Sequence, residues 1–592
     1  MIVAGAWAAI HLRAAAGAGA DGRDALARAR SDVAGRRLDE ASRELAAARR
    51  SFDRMAADLH RLGPLLPVAR RVPFVRLQVG YAEALADAGR LLARSGEEGV
   101  AAATPILRPS GAGDGAAGAL VALRRADDHL RRSTACIDAA AARLRPFARD
   151  RLVGPLGRAR SALARDLPDA AEQVGSAERG LRALLAFAGD SGPRRYLVFS
   201  QNPDEVRPTG GYLGSYGVLA AADGRLVLER YDSIESWYGT HPRAVVPPER
   251  AALPLRVPSP PMRQTIANAN ASAEWPAATR LAMDLWRQGG EAPVDGALAV
   301  TPEFLARLLS VLGPLQVPAF GDIVTAENLL ERLDYHTHLE GSRLNDPNRK
   351  QFLTALAPAV LHRLLDARSA QWADIASALA AGFSRREAMA WTTDAGVNQA
   401  LAEHRWDGAL PVIGGDFFFD AEFAYKAKNG RGLHRTFDHH VVLRPDGSGV
   451  VTTTVTIENT RPFSAGGLQN LDSASYLTIY GPAGAALDPA SDPPAADEEP
   501  VARHPAAAWL RSAAPLGSTT LTVTWQAPRL AAREADGSLT YSLWWMHLPA
   551  HAGDVLRLRV DLPRGWRWRG AGPPAGARLD DDVVGSWSAA RS

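Results

Sequence analysis

A polar loop that follows an apolar strand is the part of this sequence best suited to chemistry. It carries Asn202, Glu205 and Arg207, and ends in Gly210 and Gly211. A guanidinium offers a planar set of donors that fits a phosphate or a carboxylate. Two successive glycines let backbone N–H groups approach an anion closely. The loop therefore predicts an anion site. The alternative is internal: Glu205 pairs with Arg207, and the glycines only form a turn.

A second group of charged residues stands where a helix is predicted to begin. Arg343, Asp346, Arg349 and Lys350 lie at the start of a helix predicted over residues 348–366. Because the free N–H groups of a helix N-terminus attract anions, two arginines and a lysine here could hold a diphosphate. The alternative is a solvated helix start that Asp346 caps.

Several classes of function lack their sequence signals. Neither G-x-x-x-x-G-K-[ST] nor a G-x-G-x-x-G after a strand occurs, so no nucleotide partner is predicted. Cys136 is the single cysteine, which excludes an internal disulfide and a cysteine-based metal site. His336 and His338 have a spacing that could serve a metal, but exposed polar residues are the preferred interpretation. We therefore predict no metal site and no cofactor.

The charge balance argues against a nucleic-acid partner. The 592 residues include 68 basic and 65 acidic side chains, which gives a formal charge of +3. Because the charges are so nearly balanced, the chain has no broad basic face that could bind a phosphate backbone. The hydrophobic content of 46% is ordinary for globular protein, and a chain of this length needs more than one core.

Three regions with different periodicity must position the polar residues. Residues 20–190 are helical, with a heptad seam from Leu38 to Leu62, and they predict an antiparallel bundle or stalk. Residues 191–408 interleave strands and helices, which predicts an α/β layered domain. Residues 409–592 contain short strands between Gly and Pro turns, which predicts a β-sandwich-like domain. The predicted fold class is thus multidomain α+β.

The segment 1–19 begins with an apolar run that is too short to cross a bilayer. A spanning helix needs about 20 apolar residues, and the apolar run ends near Ile10. Two interpretations stay open. The segment is either the start of a buried helix or part of a membrane anchor whose beginning is missing from this chain. Trp7 would suit an anchor, because Trp is enriched at the membrane interface.

The stretch from Tyr196 to Leu226 contains an apolar strand, a polar loop, a Thr-Gly-Gly turn, a Ser-Tyr pair and Asp-Gly. It resembles the signature of a bacterial family known as domain of unknown function 4012. The residues that match are Gln201, Asn202, Glu205, Arg207, Thr209, Gly210, Gly211, Ser215, Tyr216, Asp223 and Gly224. Shorter matches lie at residues 294–296, 312–314, 325–328 and 346–349.

This family resemblance implies a location more than a reaction. Members generally carry an N-terminal membrane anchor, with the rest of the chain outside the cytoplasm, and their activity is not established. The resemblance therefore implies a single-pass anchor in the cell membrane, represented here by the partial segment 1–19. The bulk of the chain would be extracytoplasmic.

The order of elements is also similar to that of the LytR-CpsA-Psr phosphotransferases, which join glycopolymers to peptidoglycan. By that resemblance, Arg207 and Arg349 would grip a lipid diphosphate, and Asp295 or Asp346 would assist. A divalent cation is expected only under this interpretation. An acidic residue of that family is absent here, since Gly214-Ser215 stand at its place. A polyprenyl-diphosphate or glycan site would survive that loss.

Two functional hypotheses follow. The first is a membrane-tethered cell-envelope protein that binds or scaffolds an envelope glycopolymer or a protein partner. The second is a glycopolymer phosphotransferase-like enzyme or a polyprenyl-diphosphate-binding protein.

Overall fold

The structure is a computed structural model that divides into two compact units. It describes residues 2–62, 72–107, 116–149, 151–258, 260–336, 351–368, 371–425, 428–462 and 473–592. The first unit comprises Met1–Gly192, Ala222–Arg225 and Asp366–Ala373. The second comprises Pro193–Ala221, Leu226–Leu365 and Asp374–Ser592.

Within the described residues, the first unit is built from five long helices. They are α1 (Ile2–Ala34), α2 (Leu38–Arg61), α3 (Pro73–Leu107), α4 (Ala116–Leu144) and α5 (Gly154–Phe187). Helix α2 packs against both α1 and α3, and α4 packs against α3 and α5. A helical N-terminal region is therefore confirmed.

The predicted heptad seam is buried along its whole length. The residues concerned are Leu38, Ala41, Leu45, Ala48, Phe52, Met55, Leu59 and Leu62. Phe52 lies between two glycines, since a Cβ at Gly22 or at Gly89 would come 2.8 Å or 2.4 Å from its ring. The small residues of α1 and α3 thus let the large side chain of α2 fill the space between three helices.

The segment predicted as a partial anchor opens α1. Ala15 and Ala18 are buried in the same apolar cluster as Met55 and Leu59 of α2. Among the described residues, no helix combines the length and the apolar character needed to cross a bilayer. The anchor and the cell-membrane location remain predictions.

The α/β part of the second unit is a five-stranded sheet in the order β3-β2-β1-β4-β7. The strands are β1 (Arg194–Asn202), β2 (Tyr212–Ala222), β3 (Arg225–Ser233), β4 (Gly296–Val300) and β7 (Ala388–Thr392). β1 is antiparallel to β2 and parallel to β4, while β4 is antiparallel to β7. Asp223 and Gly224 both have positive φ, as a two-residue hairpin turn requires.

Short helices surround this sheet. They are α6 (Ile234–Thr240), α7 (Leu253–Arg256), α8 (Trp275–Gln288), α9 (Pro302–Leu312), α10 (Leu329–Asp334), α11 (Gln351–Leu365), α12 (Trp372–Ser384) and α13 (Ala395–Glu403). Trp275 and Trp286 of α8 are buried against residues of the sheet. Helix α9 follows β4 directly, because Thr301 caps it by accepting from the N–H of Phe304 and Pro302 occupies its first turn. A two-stranded sheet, β5 (Leu315–Val317) and β6 (Asp322–Val324), packs near α10 and α11.

The remaining strands of the second unit form two facing sheets, so the strand-rich C-terminal region is confirmed. One sheet has the order β12-β15-β10-β9-β18-β20, and the other β13-β14-β11-β8-β17-β21-β19, with β16 on β17. Their bounds are β8 (Asp416–Tyr425), β9 (Leu433–Leu443), β10 (Gly449–Asn459), β11 (Ser473–Tyr480), β12 (Ala486–Leu487), β13 (Ala496–Val501), β14 (His504–Ala513), β15 (Ser518–Ala527), β16 (Ala531–Arg533), β17 (Leu539–Met546), β18 (Val555–Asp561), β19 (Trp566–Trp568), β20 (Gly576–Arg578) and β21 (Val583–Arg591). The core between the sheets contains Phe418, Trp509 and Trp545 from one and Val455 and Trp525 from the other.

Candidate functional site

A pocket of about 90 Å³ opens at the carboxyl ends of β1 and β4. These two strands are parallel, and Ser200 pairs with Val300 at this edge. In α/β sheets, ligands commonly bind beyond the carboxyl ends of parallel strands, where the loops diverge. The position of the pocket alone therefore makes it the candidate site.

The pocket is lined by both polar and apolar side chains. The polar ones are Ser200, Gln201, Asn202, Glu205, Tyr212, Ser215, Glu235, Thr301, Asp334, Lys428 and Arg431. The apolar ones are Val300, Pro302, Leu305, Leu333 and Leu353. A ligand in this pocket would meet hydrogen-bonding groups as well as hydrocarbon.

The polar loop after β1 is held in place by its own backbone. The Asn202 side chain accepts from the N–H of Asp204 at 3.2 Å, and the N–H of Gly210 donates to the carbonyl of Arg207 at 2.9 Å. Gly211 has a φ of +146°, and a Cβ there would lie 2.4 Å from the Asn202 carbonyl. Gly211 is thus required by the turn, and the N–H of Gly210 is already used within it.

A buried amide network closes the base of the same loop. Gln201 donates to the Thr209 carbonyl at 2.8 Å, and the Thr209 hydroxyl donates to Gln201 Oε1 at 2.9 Å. The Asn270 amide group donates to Gln201 Oε1, Thr209 Oγ1 and the Gly211 carbonyl. These bonds fix the loop against the sheet, which explains why Gln201 and Thr209 stand beside the candidate residues.

The Arg207 guanidinium is enclosed by protein rather than turned into the pocket. Arg207 is only 4% exposed. Its Nη1 donates to the carbonyls of Val206 and Ala424, at 2.8 Å and 3.0 Å. The guanidinium also lies 3.9 Å from the centre of the Phe423 ring. Burial lowers the pKa of Arg207. These contacts give the guanidinium a structural task, and its proposed grip on an anion remains a prediction.

Asp295 lies at the opposite end of the sheet. It directly precedes β4, and its Oδ2 accepts from the N–H of Arg195 at 2.8 Å. Five residue steps of parallel strand separate Asp295 from the level of Ser200, which is roughly 16 Å. The fold therefore does not bring Asp295 together with Asn202 and Glu205. Arg343, Asp346 and Arg349 lie outside the described residues, as do His338 and Lys350.

Two cations of the pocket were not predicted from the sequence. Lys428 and Arg431 follow β8, more than 200 residues after the polar loop. Lys428 Nζ lies 2.8 Å from Glu205 Oε1. Arg431 donates to Asp204 Oδ2 at 2.8 Å. The pairing depends on how the sandwich packs beside the α/β layer within the second unit, which no local pattern of the sequence indicates.

Acidic side chains outnumber basic side chains around the pocket. Arg431 lies between three carboxyl groups, since Glu303 and Asp334 stand 3.8 Å and 3.9 Å from it, besides Asp204. Burial raises the pKa of Glu303, although Arg431 opposes that effect. With Glu205 and Glu235 included, five carboxyl groups surround the two cations Lys428 and Arg431.

Two serines that line the pocket, Ser200 and Ser215, are hydrogen-bonded to Tyr231. Ser200 Oγ and Tyr231 Oη are 2.6 Å apart. Burial raises the pKa of Tyr231, so this phenol is neutral at physiological pH. The two serines can therefore offer hydroxyl groups to a ligand, and this cluster carries no charge. Within the described ranges, no three His, Cys, Asp or Glu side chains are grouped as a metal would require.

Comparison with known proteins gave one match. The model of a family described as "Protein of unknown function (DUF4012)" matches residues 191–337. A search of curated proteins and a search of solved structures found no match. Nothing in these comparisons supports the similarity to LytR-CpsA-Psr phosphotransferases. The matched segment contains the polar loop, α9 and most of the residues that line the pocket, so this part of the chain is similar to the DUF4012 family.

Proposed function

We propose that this protein is a binding component of the bacterial cell envelope, with its bulk outside the cytoplasm. Its ligand would be a saccharide unit of an envelope glycopolymer, held in the pocket at the carboxyl ends of β1 and β4. The observation that carries this proposal is that polar and apolar side chains together line this pocket, most of them within the family-matched region.

A sugar ring suits such a pocket because it has two kinds of surface. Its C–H groups can pack against Val300, Leu305 and Leu353, while its hydroxyl groups can donate to Glu205 and to Asn202. A water molecule needs about 10–15 Å³ by this measure of volume. A pocket of about 90 Å³ thus accepts one ring rather than a long chain.

The charge of the pocket favours a neutral saccharide over an anionic one. Lys428 and Arg431 already face carboxyl groups at 2.8 Å, so neither offers an unopposed positive charge. A diphosphate would add further negative charge beside Glu205 and Asp334, at a cost that grows with burial. We therefore favour a glycan over a lipid diphosphate as the ligand.

Titration calorimetry with the purified chain tests the ligand. Neutral cell-wall oligosaccharides should bind, and Glu205→Gln should weaken the binding about 10- to 100-fold, the effect of losing a hydrogen bond to a charged group. Glu458→Gln is the matched control, since Glu458 is exposed on β10 of the sandwich. Stronger binding of a polyprenyl diphosphate than of any neutral sugar, enhanced by Glu205→Gln, would refute the proposal.

The location is tested separately in cells. The product of the native gene should sediment with membranes and be digested by protease added to intact spheroplasts. Recovery of the whole product as a protease-protected soluble protein would overturn the envelope location but would leave the ligand prediction standing.

The phosphotransferase alternative has no observation in its favour among the described residues. Of its two proposed diphosphate-binding arginines, Arg207 is enclosed by carbonyl groups and Arg349 lies outside the described ranges. It therefore stays a prediction.

A further inference from the structure

Strand β8 directs a row of acidic side chains into the interior of the sandwich. Alternate residues of a strand share one face, and Phe418, on the same face as Asp416, Asp420 and Glu422, belongs to the core between the sheets. All three acids are buried. A buried carboxylate is costly unless it is paired or protonated.

Two of these acids have strong partners. Asp416 Oδ2 accepts from the Tyr541 hydroxyl at 2.7 Å and lies 3.0 Å from His439 Nε2. Glu422 receives two hydrogen bonds from the Arg435 guanidinium, one of them at 2.9 Å, and a third from Ser475. Both carboxyl groups therefore have hydrogen-bond donors that compensate for their burial.

Asp420 differs from its two neighbours. It is 3% exposed, and neither carboxyl oxygen has a hydrogen-bond partner among the residues that the structure describes. The side chain lines a small cavity of about 10 Å³. The other residues around this cavity are Phe418, Arg435, Phe437, Trp545, Met546, His547, Leu548, Asp554 and Leu579.

The charges that face Asp420 do not balance it. Glu422 lies on the same strand as Asp420, and Asp554 lies just before β18. Among the described residues of this cluster, Arg435 on β9 is the single cation that faces these three acids. His551 contacts Arg435, and burial holds its pKa well below the usual value, so it is neutral. His547 is engaged by Asp582 at 2.7 Å. With all acids ionised, the cluster would carry two uncompensated negative charges.

Protonation of Asp420 reduces this charge imbalance at a lower cost than protonation of Glu422 or Asp554 would. Glu422 and Asp554 accept hydrogen bonds from Arg435, which protonation would weaken, whereas Asp420 loses none. Burial, reinforced by Glu422, raises the pKa of Asp420 to about 8. A cavity of about 10 Å³ is close to the space that one water molecule needs.

We propose that Asp420 is a neutral carboxylic acid in the folded protein, and that its hydroxyl donates to one water molecule in this cavity. The sandwich then takes up one proton from solvent on folding and releases it on unfolding. This makes the sandwich a pH-sensitive element, independent of the ligand pocket and of the proposed function.

The sign of the effect follows from proton linkage. An aspartate in an unfolded chain titrates near 3.8, so between about pH 4 and pH 8 only the folded state holds this proton. The stabilisation is complete below this window and is lost as pH rises through it. One proton corresponds to a change of about tenfold in the unfolding constant per pH unit.

Hydrogen–deuterium exchange of the full chain tests the proposal. Protection factors of β8 and β9 peptides, corrected for intrinsic exchange rates, would be measured from pH 6 to pH 9. The ratio of the wild-type protection factor to that of Asp420→Asn should fall by close to tenfold per pH unit up to about pH 8. Above that pH the ratio should stay constant. Asp438→Asn, which changes an exposed aspartate on β9, should follow the wild type. Parallel pH profiles for the wild type and Asp420→Asn would overturn the proposal.

A second measurement covers the case in which Asp420→Asn does not fold. Infrared spectra of the wild type, labelled with 13C at aspartate carboxyl groups, should contain a protonated-carboxyl band at pH 7. The proposal requires this band to disappear as the pH is raised past about 8. An aspartate spectrum that does not change between pH 6 and pH 9 would contradict it.

Discussion

Arg207 shows how a residue suited to binding can be used by the fold instead. Its guanidinium satisfies the carbonyls of Val206 and Ala424 and lies over the ring of Phe423. A buried carbonyl that loses its donor costs about 1–3 kcal/mol. The same residue type in an open pocket would contribute to affinity and hardly to stability.

Arg207→Gln separates these two tasks. Because two carbonyls lose their donor, we expect the free energy of unfolding to fall by about 2–5 kcal/mol, measured by urea denaturation. Arg225→Gln, at an exposed position on β3, is the control and should change stability by less than about 0.5 kcal/mol. A stable Arg207→Gln protein that has lost affinity for an anionic ligand would restore the original interpretation of the loop.

At the scale of elements, periodic patterns in the sequence predicted the helices, the strands and their buried faces. The polar residues did not predict their own contacts. The short strands predicted for residues 409–592 are observed as β8 to β21, and the seam from Leu38 to Leu62 is buried throughout. Such patterns are local, so a single stretch of sequence contains them. The partners of Glu205 and Arg207 are Lys428 and Ala424, which are more than 200 residues away. No local pattern could predict those contacts.

Helix α2 offers a prediction at this scale. Phe52 fills the gap that Gly22 of α1 and Gly89 of α3 leave open. Phe52→Ala should therefore leave a cavity and destabilise the helical unit by about 3–5 kcal/mol. The measurement is amide exchange of α1, α2 and α3 peptides, with those of the sandwich as internal reference. Arg50→Ala, at an exposed position of the same helix, is the control. Equal protection in Phe52→Ala and the control would show that the three helices do not pack through this ring.

At the scale of the whole molecule, the α/β layer and the sandwich belong to one compact unit. Arg386 precedes β7, and its guanidinium donates to the carbonyl of His547 and to Asp582 Oδ1. Asp204, in the polar loop, accepts from both the backbone and the side chain of Arg431. Each of these buried groups depends on a partner beyond residue 408, the predicted domain boundary. A sequence boundary drawn where periodicity changes therefore need not be a boundary of folding.

This dependence gives the last prediction. A fragment of residues 193–408 would lose the partners of Arg386 and Asp204 and would expose apolar side chains such as Val206 and Ala273, which pack on the sandwich, at several kcal/mol in total. Because that loss is comparable with the whole stability of a domain, we expect the fragment to be unfolded or aggregated. Residues 193–592 retain every one of these partners and should show a cooperative thermal transition by circular dichroism. A cooperative transition in the shorter fragment would contradict this prediction. It would mean that the α/β layer folds without the sandwich, and that Lys428 and Arg431 are not needed to form the rest of the binding pocket.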